Sequence, residues 1–233
     1  MEEHKEFGFF RGKVRFKQPK KHRLSIIELL FISNIKGIKK KSKVIDLGAG
    51  FGALSILIAI KYGCPVWAVE KDPLMLELLE YNVIKNGLEE EIQIINSDIK
   101  KLMELVKSHS FDCVVANPPF FRQAGSNPYH HETETTLEDF IKTASKLLKD
   151  GGAFNLLITA ERFFESLQLM DKHRIGVASL RFFYPKINKG AKVVSIYGRR
   201  NLKPTPMVEK PLIINEENGG YTEEVKGVLA HLL

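Results

Sequence analysis

The sequence has 233 residues, of which 44% are hydrophobic, and it carries a formal net charge of +7. No apolar run approaches the ~20 residues that a membrane span needs, and residues 1–13 lack the apolar stretch of a signal peptide. We therefore expect a cytoplasmic protein whose two cysteines, Cys64 and Cys113, are reduced and buried.

The charge is unevenly distributed along the chain. Residues 1–43 hold 13 Lys/Arg against 4 Asp/Glu, residues 44–160 hold 10 against 16, and residues 161–233 hold 12 against 8. Basic ends around an acidic middle favour a polyanionic partner bound by the flanks. A lysine-rich surface that is merely solvated is the alternative, and charge alone does not decide between them.

The hydrophobic pattern predicts strands that alternate with helices. In chain order we predict a hairpin over 7–16, a helix over 24–35, a strand over 43–48, a helix over 53–63, a strand over 65–70, a helix over 73–87, strands over 92–98 and 111–119, a helix over 136–152, a strand over 153–159, a helix over 161–173, strands over 178–185 and 192–199, and a loop-like tail with a short helix near 222–232.

This alternation, with almost continuously apolar strands, predicts a doubly wound α/β fold around a mainly parallel sheet. The predicted sheet has seven strands, and its closing strand is antiparallel to the others. We expect one domain over residues 1–233, with a basic N-terminal extension (about 1–42) and a C-terminal tail (about 200–233).

A glycine-rich loop follows the first strand of the predicted sheet. Ligands of open α/β sheets bind at the carboxyl ends of strands, and glycines let the backbone approach them closely. Acidic residues end the next two strands, where one can accept the hydroxyls of a ribose and the other can face an adenine edge. The predicted cofactor residues are Asp46, Gly48, Gly50, Gly52, Glu70, Lys71 and Asp98.

Two cofactors fit this loop. Gly48-x-Gly50-x-x-Ala53 satisfies a loose dinucleotide pattern. Asp46 favours S-adenosylmethionine instead, because its carboxylate would repel a pyrophosphate and attract a cationic amino-acid group. The sequence Asn117-Pro118-Pro119-Phe120, which has no part in hydride transfer, favours the methyl donor further.

Asn117-Pro118-Pro119-Phe120 ends the fourth strand, where proline cannot continue a ladder. The Asn117 side-chain carbonyl and the Pro118 backbone carbonyl can accept the N–H groups of a planar exocyclic amine. This pulls the nitrogen toward a tetrahedral geometry and frees its lone pair. We expect Phe120 to stack on the target base. We therefore predict that Asn117, Pro118 and Phe120 are catalytic, and that Asn117 also contacts the cofactor.

The order and spacing of these motifs resemble the bacterial valine-tRNA adenine-37 N6-methyltransferases over nearly the whole chain. Further elements of that pattern are Gln18-Pro19-Lys20, His22-Arg23, His131-Glu132, Thr136-Leu137-Glu138-Asp139, Gly151-Gly152, Glu161-Arg162, Lys189-x-Ala191 and Pro211-Leu212-Ile213-Ile214. The resemblance implies a Rossmann-like class I methyltransferase that uses S-adenosylmethionine to methylate N6 of an adenosine beside the anticodon.

The resemblance also implies that the segment from Gln18 to Arg23 folds over the cofactor, so both residues are predicted to bind it. One departure concerns the helix that follows. Family members usually carry an aspartate shortly after the Arg-x-Ser element, whereas this chain has Ile26-Ile27 there and Glu28 one place on.

We expect tRNA to lie across the mouth of the pocket and to be held through its phosphates. The residues predicted to bind RNA are Lys20, Lys21, Phe121, Arg122, Lys186, Lys189, Lys192 and Arg199. Phe121 has a packing role as its alternative. His130 and His131 lack further ligands at metal-binding spacing, so we predict no metal site. We expect a monomer.

Three other functions stay open at this point. The first is methylation of glutamine amides in release factors, whose enzymes usually have a larger helical N-terminal domain. The second is methylation of guanine N2 in ribosomal RNA, whose enzymes often have a duplicated domain. The third is an RNA-binding module without catalysis, against which the intact Asp46, Gly48, Glu70 and Asn117 argue.

Overall fold

A computed structural model describes residues 6–19, 23–118 and 135–232 of the chain. The strands in these ranges are β1 (Glu6–Phe9), β2 (Val14–Lys17), β3 (Val44–Leu47), β4 (Val66–Glu70), β5 (Ile92–Asn96), β6 (Phe111–Ala116), β7 (Leu148–Thr159), β8 (Ile175–Tyr184), β9 (Val193–Arg200), β10 (Met207–Val208) and β11 (Leu212–Ile213). The helices are α1 (Ile26–Asn34), α2 (Ala53–Tyr62), α3 (Pro73–Lys85), α4 (Leu137–Leu147), α5 (Phe163–Lys172) and α6 (Glu223–Ala230). None of these helices is long and apolar enough to cross a bilayer.

The main sheet has the strand order β10-β8-β9-β7-β6-β3-β4-β5, and β11 also pairs with β8. Strands β3 to β7 run parallel, while β9 is antiparallel to both of its neighbours, β7 and β8. This confirms the predicted mainly parallel sheet with an antiparallel strand. The two short strands β10 and β11 bring the sheet to nine strands, where seven were predicted.

Both faces of the sheet are covered, because successive residues of a central strand point to opposite sides. Val44 and Cys113 belong to the apolar cluster that contains α1, α2 and α3. Their chain neighbours Ile45 and Val114 belong to the cluster that contains α4 and the buried Met170 of α5. This doubly wound arrangement leaves the carboxyl ends of the parallel strands as one edge on which a site can form.

Helix α4 is shorter than predicted. The pattern extended it to residue 152, but it ends at Leu147, and Leu148 already pairs with Phe111 of β6. Backbone N–H groups of the preceding segment bind the last-turn carbonyls of α4, at 2.9 Å from Ser110 N to Leu147 O. Gly151, with φ +69°, allows the early irregular part of β7 to form. The glycines therefore belong to the strand and do not end the helix.

The predicted hairpin, β1 and β2, packs on helix α3 through two asparagine amides. Asn82 accepts from Lys17 N at 2.7 Å and donates to Lys17 O at 2.9 Å. Asn86 accepts from Arg15 N at 2.9 Å and donates to Arg15 O at 2.8 Å. Asn82 also donates to Phe51 O in the glycine loop at 2.8 Å. The basic N-terminal segment is therefore connected directly to the predicted cofactor loop.

Candidate functional site

The carboxyl edge of the sheet brings together the residues that the sequence predicted for the cofactor site. Asp46 lies one residue before the end of β3, and Glu70 is the last residue of β4. Asp98 follows β5 by two residues, and Asn117 follows β6 directly. Parallel neighbours place these ends side by side, so the local sequence signals converge on one site.

The glycine loop between β3 and α2 requires left-handed backbone at three positions. Gly48, Gly50 and Gly52 have φ values of +76°, +56° and +91°. A Cβ on Gly52 would lie 2.4 Å from Leu79 Cδ1, and one on Gly48 would lie 3.4 Å from the Phe140 ring. A Cβ on Gly50 would meet no atom within 4 Å, so Gly50 faces open space at the edge of the sheet.

Asp46 is completely buried beneath this loop. Its Oδ2 accepts a hydrogen bond of 2.7 Å from Ser55 Oγ, whereas its buried Oδ1 accepts none from the part of the chain that the structure describes. Burial raises the pKa of Asp46 to about 7, and the charges of Glu70 and Glu28 add to this rise while Ser55 opposes it. A cationic ligand would relieve this repulsion and would satisfy the free acceptor.

Glu70 holds the glycine loop from the neighbouring strand. Its Oε2 accepts from Gly50 N at 2.7 Å, and its Oε1 accepts from Lys71 N at 2.8 Å and from Asp72 N at 2.9 Å. A carboxylate offers about four lone-pair directions, so it retains capacity for a ligand hydroxyl. The predicted ribose contact of Glu70 remains a prediction.

Lys71 and Asp98 form an ion pair, with 3.1 Å between Nζ and Oδ2. Asp98 Oδ1 also accepts from Lys100 N at 2.9 Å. Burial alone would raise the pKa of Asp98, but the hydrogen bonds from Lys100 and Lys71 outweigh it and lower the pKa. Asp98 is therefore a fixed anion at the edge of the pocket. The predicted cofactor contacts of Lys71 and Asp98 remain predictions.

Asn117 presents the second free acceptor of the site. Its Oδ1 is buried, and no described residue donates to it. Buried polar atoms are nearly always hydrogen-bonded, so an unpartnered carbonyl oxygen at a strand end favours a donor from a ligand. Thr159 Oγ1, at the end of β7, is buried and unpartnered among the described residues in the same way, and no sequence signal singled it out.

The remaining residues of the predicted clamp lie beyond the described ranges. Pro118 is the last described residue of its segment and is buried. The predicted stacking residue and the predicted RNA contacts outside these ranges are Phe120, Phe121, Arg122, Lys20 and Lys21.

Across the described ranges, no group of three His, Cys, Asp or Glu side chains is placed to hold a metal ion. His130 and His131 fall outside those ranges.

The N-terminal residues make contacts that shape the approach to α1. Gln18 is buried, and its Oε1 accepts from Leu24 N at 2.7 Å. Arg23 lies over the Phe7 ring, 5.5 Å from its centroid. Both predicted cofactor residues thus join the hairpin to the start of α1, and their contact with a cofactor remains a prediction.

Glu28 is the residue whose place in the site the sequence left undecided. It is buried at the first turn of α1, where it forms a capping box with Ser25. Its charge raises the pKa of Asp46, so Glu28 contributes to the negative potential at the pocket. Family members usually carry an aspartate where this chain has Ile26-Ile27, and Glu28 places a carboxylate one position further on.

The predicted RNA-binding lysines of the β8–β9 connection lie on the same edge as Asn117. Ala160 N, just past the end of β7, donates to Lys192 O at 2.9 Å. Lys189 N donates to Lys186 O at 3.1 Å within a turn, and Lys186 Nζ donates to Glu217 O at 2.9 Å. These three lysines lie in the β8–β9 connection at the carboxyl edge, and their contact with RNA remains a prediction.

Arg199 lies at the other end of the sheet, contrary to the shared surface we predicted. Strand β9 is antiparallel to β7, so Val193 pairs with Thr159 and Arg199 pairs with Ala153. At ~3.3 Å per residue, Arg199 lies about 20 Å along the strand from Val193. Arg199 Nε donates to Gly151 O at 2.6 Å. This placement separates Arg199 from the carboxyl edge, and its predicted contact with RNA remains a prediction.

The edge therefore offers free acceptors, the four carboxylates of Asp46, Glu70, Asp98 and Glu28, and a loop with open space above Gly50. A pyrophosphate would be repelled by Asp46, Glu70 and Glu28. A ligand that carries positive charge and N–H donors fits this set of groups.

Solved structures of methyltransferases share this fold. A structure described as a predicted O-methyltransferase from Agrobacterium tumefaciens superposes with a TM-score of 0.73 at 20% identity, covering 87% of this chain and 94% of that one. Geranyl diphosphate methyltransferase in complex with SAM gives a TM-score of 0.58 at 12% identity, covering 74% and 84%. At these identities the likeness establishes the fold.

Curated relatives carry the name tRNA1(Val) (adenine(37)-N6)-methyltransferase. The protein from Dyadobacter fermentans is 25% identical over 193 residues, which cover 78% of each chain. The protein from Porphyromonas gingivalis is 30% identical over 127 residues, covering 51% of this chain and 50% of that one. The protein from Haemophilus influenzae strain PittGG is 32% identical over 88 residues, so the match spans only 38% of its length.

The model of the methyltransferase small domain family matches residues 23–180, from the start of α1 through most of β8. This range contains the glycine loop, Glu70, Asp98 and Asn117. The chain belongs to the methyltransferase small domain family.

Proposed function

We propose that this protein transfers a methyl group from S-adenosylmethionine to N6 of an adenosine in tRNA, at position 37 of valine tRNA. The observation that carries the proposal is the buried, unpartnered Oδ1 of Asn117 beside the glycine loop. The names of the relatives support the tRNA substrate and the position.

The pocket residues suit the cofactor by charge and by hydrogen bonding. S-adenosylmethionine supplies a methyl group on a sulfonium sulfur, which takes the bonding electron pair when the methyl group leaves. Asp46 Oδ1 accepts an N–H group of the cationic amino-acid end, and Gly50 lets the backbone approach the ligand closely. Glu70 and Asp98 face the nucleoside, where the first binds ribose hydroxyls and the second lies beside the adenine edge.

Asn117 acts on the substrate amine. Its Oδ1 accepts one N6–H, and the Pro118 carbonyl accepts the other, which draws the nitrogen lone pair out of the ring. As the N6–methyl bond forms, positive charge develops on the nitrogen and strengthens both hydrogen bonds. The surplus N6 proton then leaves to solvent, so the reaction needs no strong general base.

The lysines of the β8–β9 connection give the polyanionic substrate its orientation. Lys189 and Lys192 bind phosphates beside the pocket, and the basic N-terminal segment binds the opposite side. An adenosine must leave its stack to reach Asn117. Because its substrate is tRNA, we place the enzyme in the cytoplasm.

The decisive experiment is mass-spectrometric analysis of nucleosides from tRNA incubated with the enzyme and isotope-labelled S-adenosylmethionine. We expect label in N6-methyladenosine of valine tRNA, and labelling slower by ~10²–10³ with Asn117→Ala. Label on a protein glutamine or on guanine N2, with none on tRNA adenosine, would overturn the proposal in favour of another methyl acceptor.

A further inference from the structure

Phe164 is a large aromatic side chain that is left exposed at the substrate edge of the sheet. Strand β7 ends at Thr159, a single 3-10 turn covers Ala160–Arg162, and α5 begins at Phe163. Phe164 therefore lies in the first turn of α5, just beyond the carboxyl end of the strand next to β6. Its side chain is 75% exposed.

The ring of Phe164 lies against Phe163, which in turn packs on Phe182. The centroids of Phe163 and Phe164 lie 5.3 Å apart, and Phe163 packs edge-on against Phe182 of β8 at 5.2 Å. Phe164 thus has one aromatic neighbour, while three quarters of its side chain remain open to a ligand. A preorganised ring loses less conformational entropy when a ligand stacks on it.

An isolated exposed apolar side chain is ordinary, so the surroundings of Phe164 decide its meaning. The turn that leads to Phe164 is bound to the β8–β9 connection, because Ala160 N donates to Lys192 O at 2.9 Å. Lys192 N in turn donates to Phe183 O at 3.0 Å, next to the Phe182 that supports the stack. The turn that precedes Phe164 and the lysine connection therefore lie together at the carboxyl edge of the sheet.

The charge of this neighbourhood is positive. Lys189 and Lys192 belong to a segment with no acidic residue between 186 and 203. Of the nearby acids, Glu165 forms an ion pair of 2.9 Å with Arg162, and Glu161 is exposed. An exposed aromatic ring at the same edge as two lysines matches the combination of stacking and positive charge by which proteins bind single-stranded nucleic acid.

We propose that Phe164 stacks on the nucleobase adjacent to the methylated adenosine, while Lys189 and Lys192 bind the phosphates on either side of that base. The inference rests on the proposed tRNA substrate and extends it to a second base. Moving one adenine into the pocket removes the stacking partner of its neighbour, and the Phe164 ring replaces that partner. The contact selects an RNA loop in which both bases can unstack.

The test measures binding of valine tRNA to the full chain by fluorescence anisotropy in the presence of S-adenosylhomocysteine. One base–aromatic contact is worth ~1–3 kcal/mol, so Phe164→Ala should weaken binding by about 5- to 150-fold. Phe164→Leu keeps the bulk without a π-face and should also weaken binding, whereas Phe164→Trp should stay within a few-fold of wild type. The matched control is Ile84→Ala, because Ile84 is 63% exposed near the end of α3, away from this edge.

A second arm separates stacking from a general effect on the fold. Two tRNAs are prepared, one with an abasic nucleotide 5′ and one with an abasic nucleotide 3′ of the target adenosine. For one of these tRNAs, wild-type binding should weaken, and wild type and Phe164→Ala should then bind with equal affinity. Equal affinities of wild type and Phe164→Ala for intact tRNA, or an undiminished difference with both abasic tRNAs, would overturn the inference. If the inference failed but the wild-type enzyme methylated tRNA, the proposed function would still hold. If the wild-type enzyme transferred no methyl group to tRNA, both the proposed function and the inference would be wrong.

Discussion

Glu70 Oε2 accepts a hydrogen bond of 2.7 Å from Gly50 N, so the carboxylate that ends β4 holds the glycine loop that follows β3. The same side chain binds Lys71 N and Asp72 N through its other oxygen. Glu70 therefore connects the glycine loop to the segment that follows β4 before any ligand binds.

Glu70→Gln tests this connection. The amide keeps one acceptor oxygen but directs an NH₂ group at backbone N–H donors, so one of the two sides must lose its hydrogen bonds. A hydrogen bond to a charged group contributes about 1.5–3 kcal/mol, and we expect S-adenosylmethionine affinity to fall by roughly 10- to 150-fold in isothermal titration. The control is Glu80→Gln on the exposed side of α3. An unchanged affinity for Glu70→Gln would show that the loop keeps its geometry without the carboxylate.

The raised pKa of Asp46 should make the folding stability depend on pH. Its pKa rises from 3.8 in the unfolded chain to about 7 in the folded protein. Between these values the folded state holds a proton that the unfolded state has lost, so stability falls as pH increases, by up to about 1.4 kcal/mol per pH unit. Urea unfolding of the ligand-free protein at pH 5, 6, 7 and 8 should show this decline and its levelling near pH 7–8.

Asp46→Asn should remove the decline, because the amide does not titrate. The carboxyl groups whose pKa values are lowered, such as Asp98 and Asp112, act in the opposite direction and at lower pH, so they do not mask the effect. If the slope between pH 5 and pH 7 persisted in Asp46→Asn, another group would be responsible.

Asn117→Ala tests the acceptor role in catalysis. Loss of one preorganised electrostatic contact typically lowers the rate by ~10²–10³, and we expect that loss in kcat under saturating tRNA and cofactor. Affinity for S-adenosylmethionine should change much less. Turnover close to that of wild type would contradict the proposed role of the Asn117 carbonyl.

Charge reversal in the β8–β9 connection tests the RNA surface. Lys189→Glu with Lys192→Glu should weaken tRNA binding and leave cofactor binding unchanged. Each lost phosphate contact should reduce the slope of log K against log salt by about 0.7–0.9. A matched control is Lys107→Glu with Lys146→Glu, since both lysines are exposed at the opposite edge of the sheet. Equal salt slopes for the two double variants would argue against this surface.

The central fold was predictable because its signals are local. Apolar strands that alternate with amphipathic or apolar helices specify a parallel sheet, and glycines or acidic residues at strand ends mark its carboxyl edge. The extra strands β10 and β11 were not predictable, since each has only two residues, directly after a proline, and forms only by pairing with β8. The end of α4 was misplaced because Leu148 continues the helical apolar pattern while pairing with β6.

Long-range geometry accounts for the other differences at the site. The basic residues from Lys186 to Arg199 form one group in the sequence. In the structure, most of the eight-residue strand β9 lies between Lys192 and Arg199 and places them at opposite edges of the sheet. The influence of Glu28 on Asp46 depends on the packing of α1 against the sheet, which no spacing rule gives. Phe164 is part of an amphipathic helix in the sequence, and its exposure at the same edge as Lys192 appears only in the structure.

The side-chain amides of Asn82 and Asn86 exchange hydrogen bonds with the backbone of β2, as the peptide groups of a neighbouring strand would. Residues four apart on a helix are about 6 Å apart along its axis, and alternate residues of a strand repeat every ~6.6 Å, so Asn82 and Asn86 match Lys17 and Arg15 in step. Because both amides bind backbone groups, these four hydrogen bonds do not depend on the side chains of Arg15 and Lys17, whereas Val14 and Phe16 between and beside them are buried in the core. An insertion or deletion between Arg15 and Lys17 would break the match, since it would displace one peptide group from its amide.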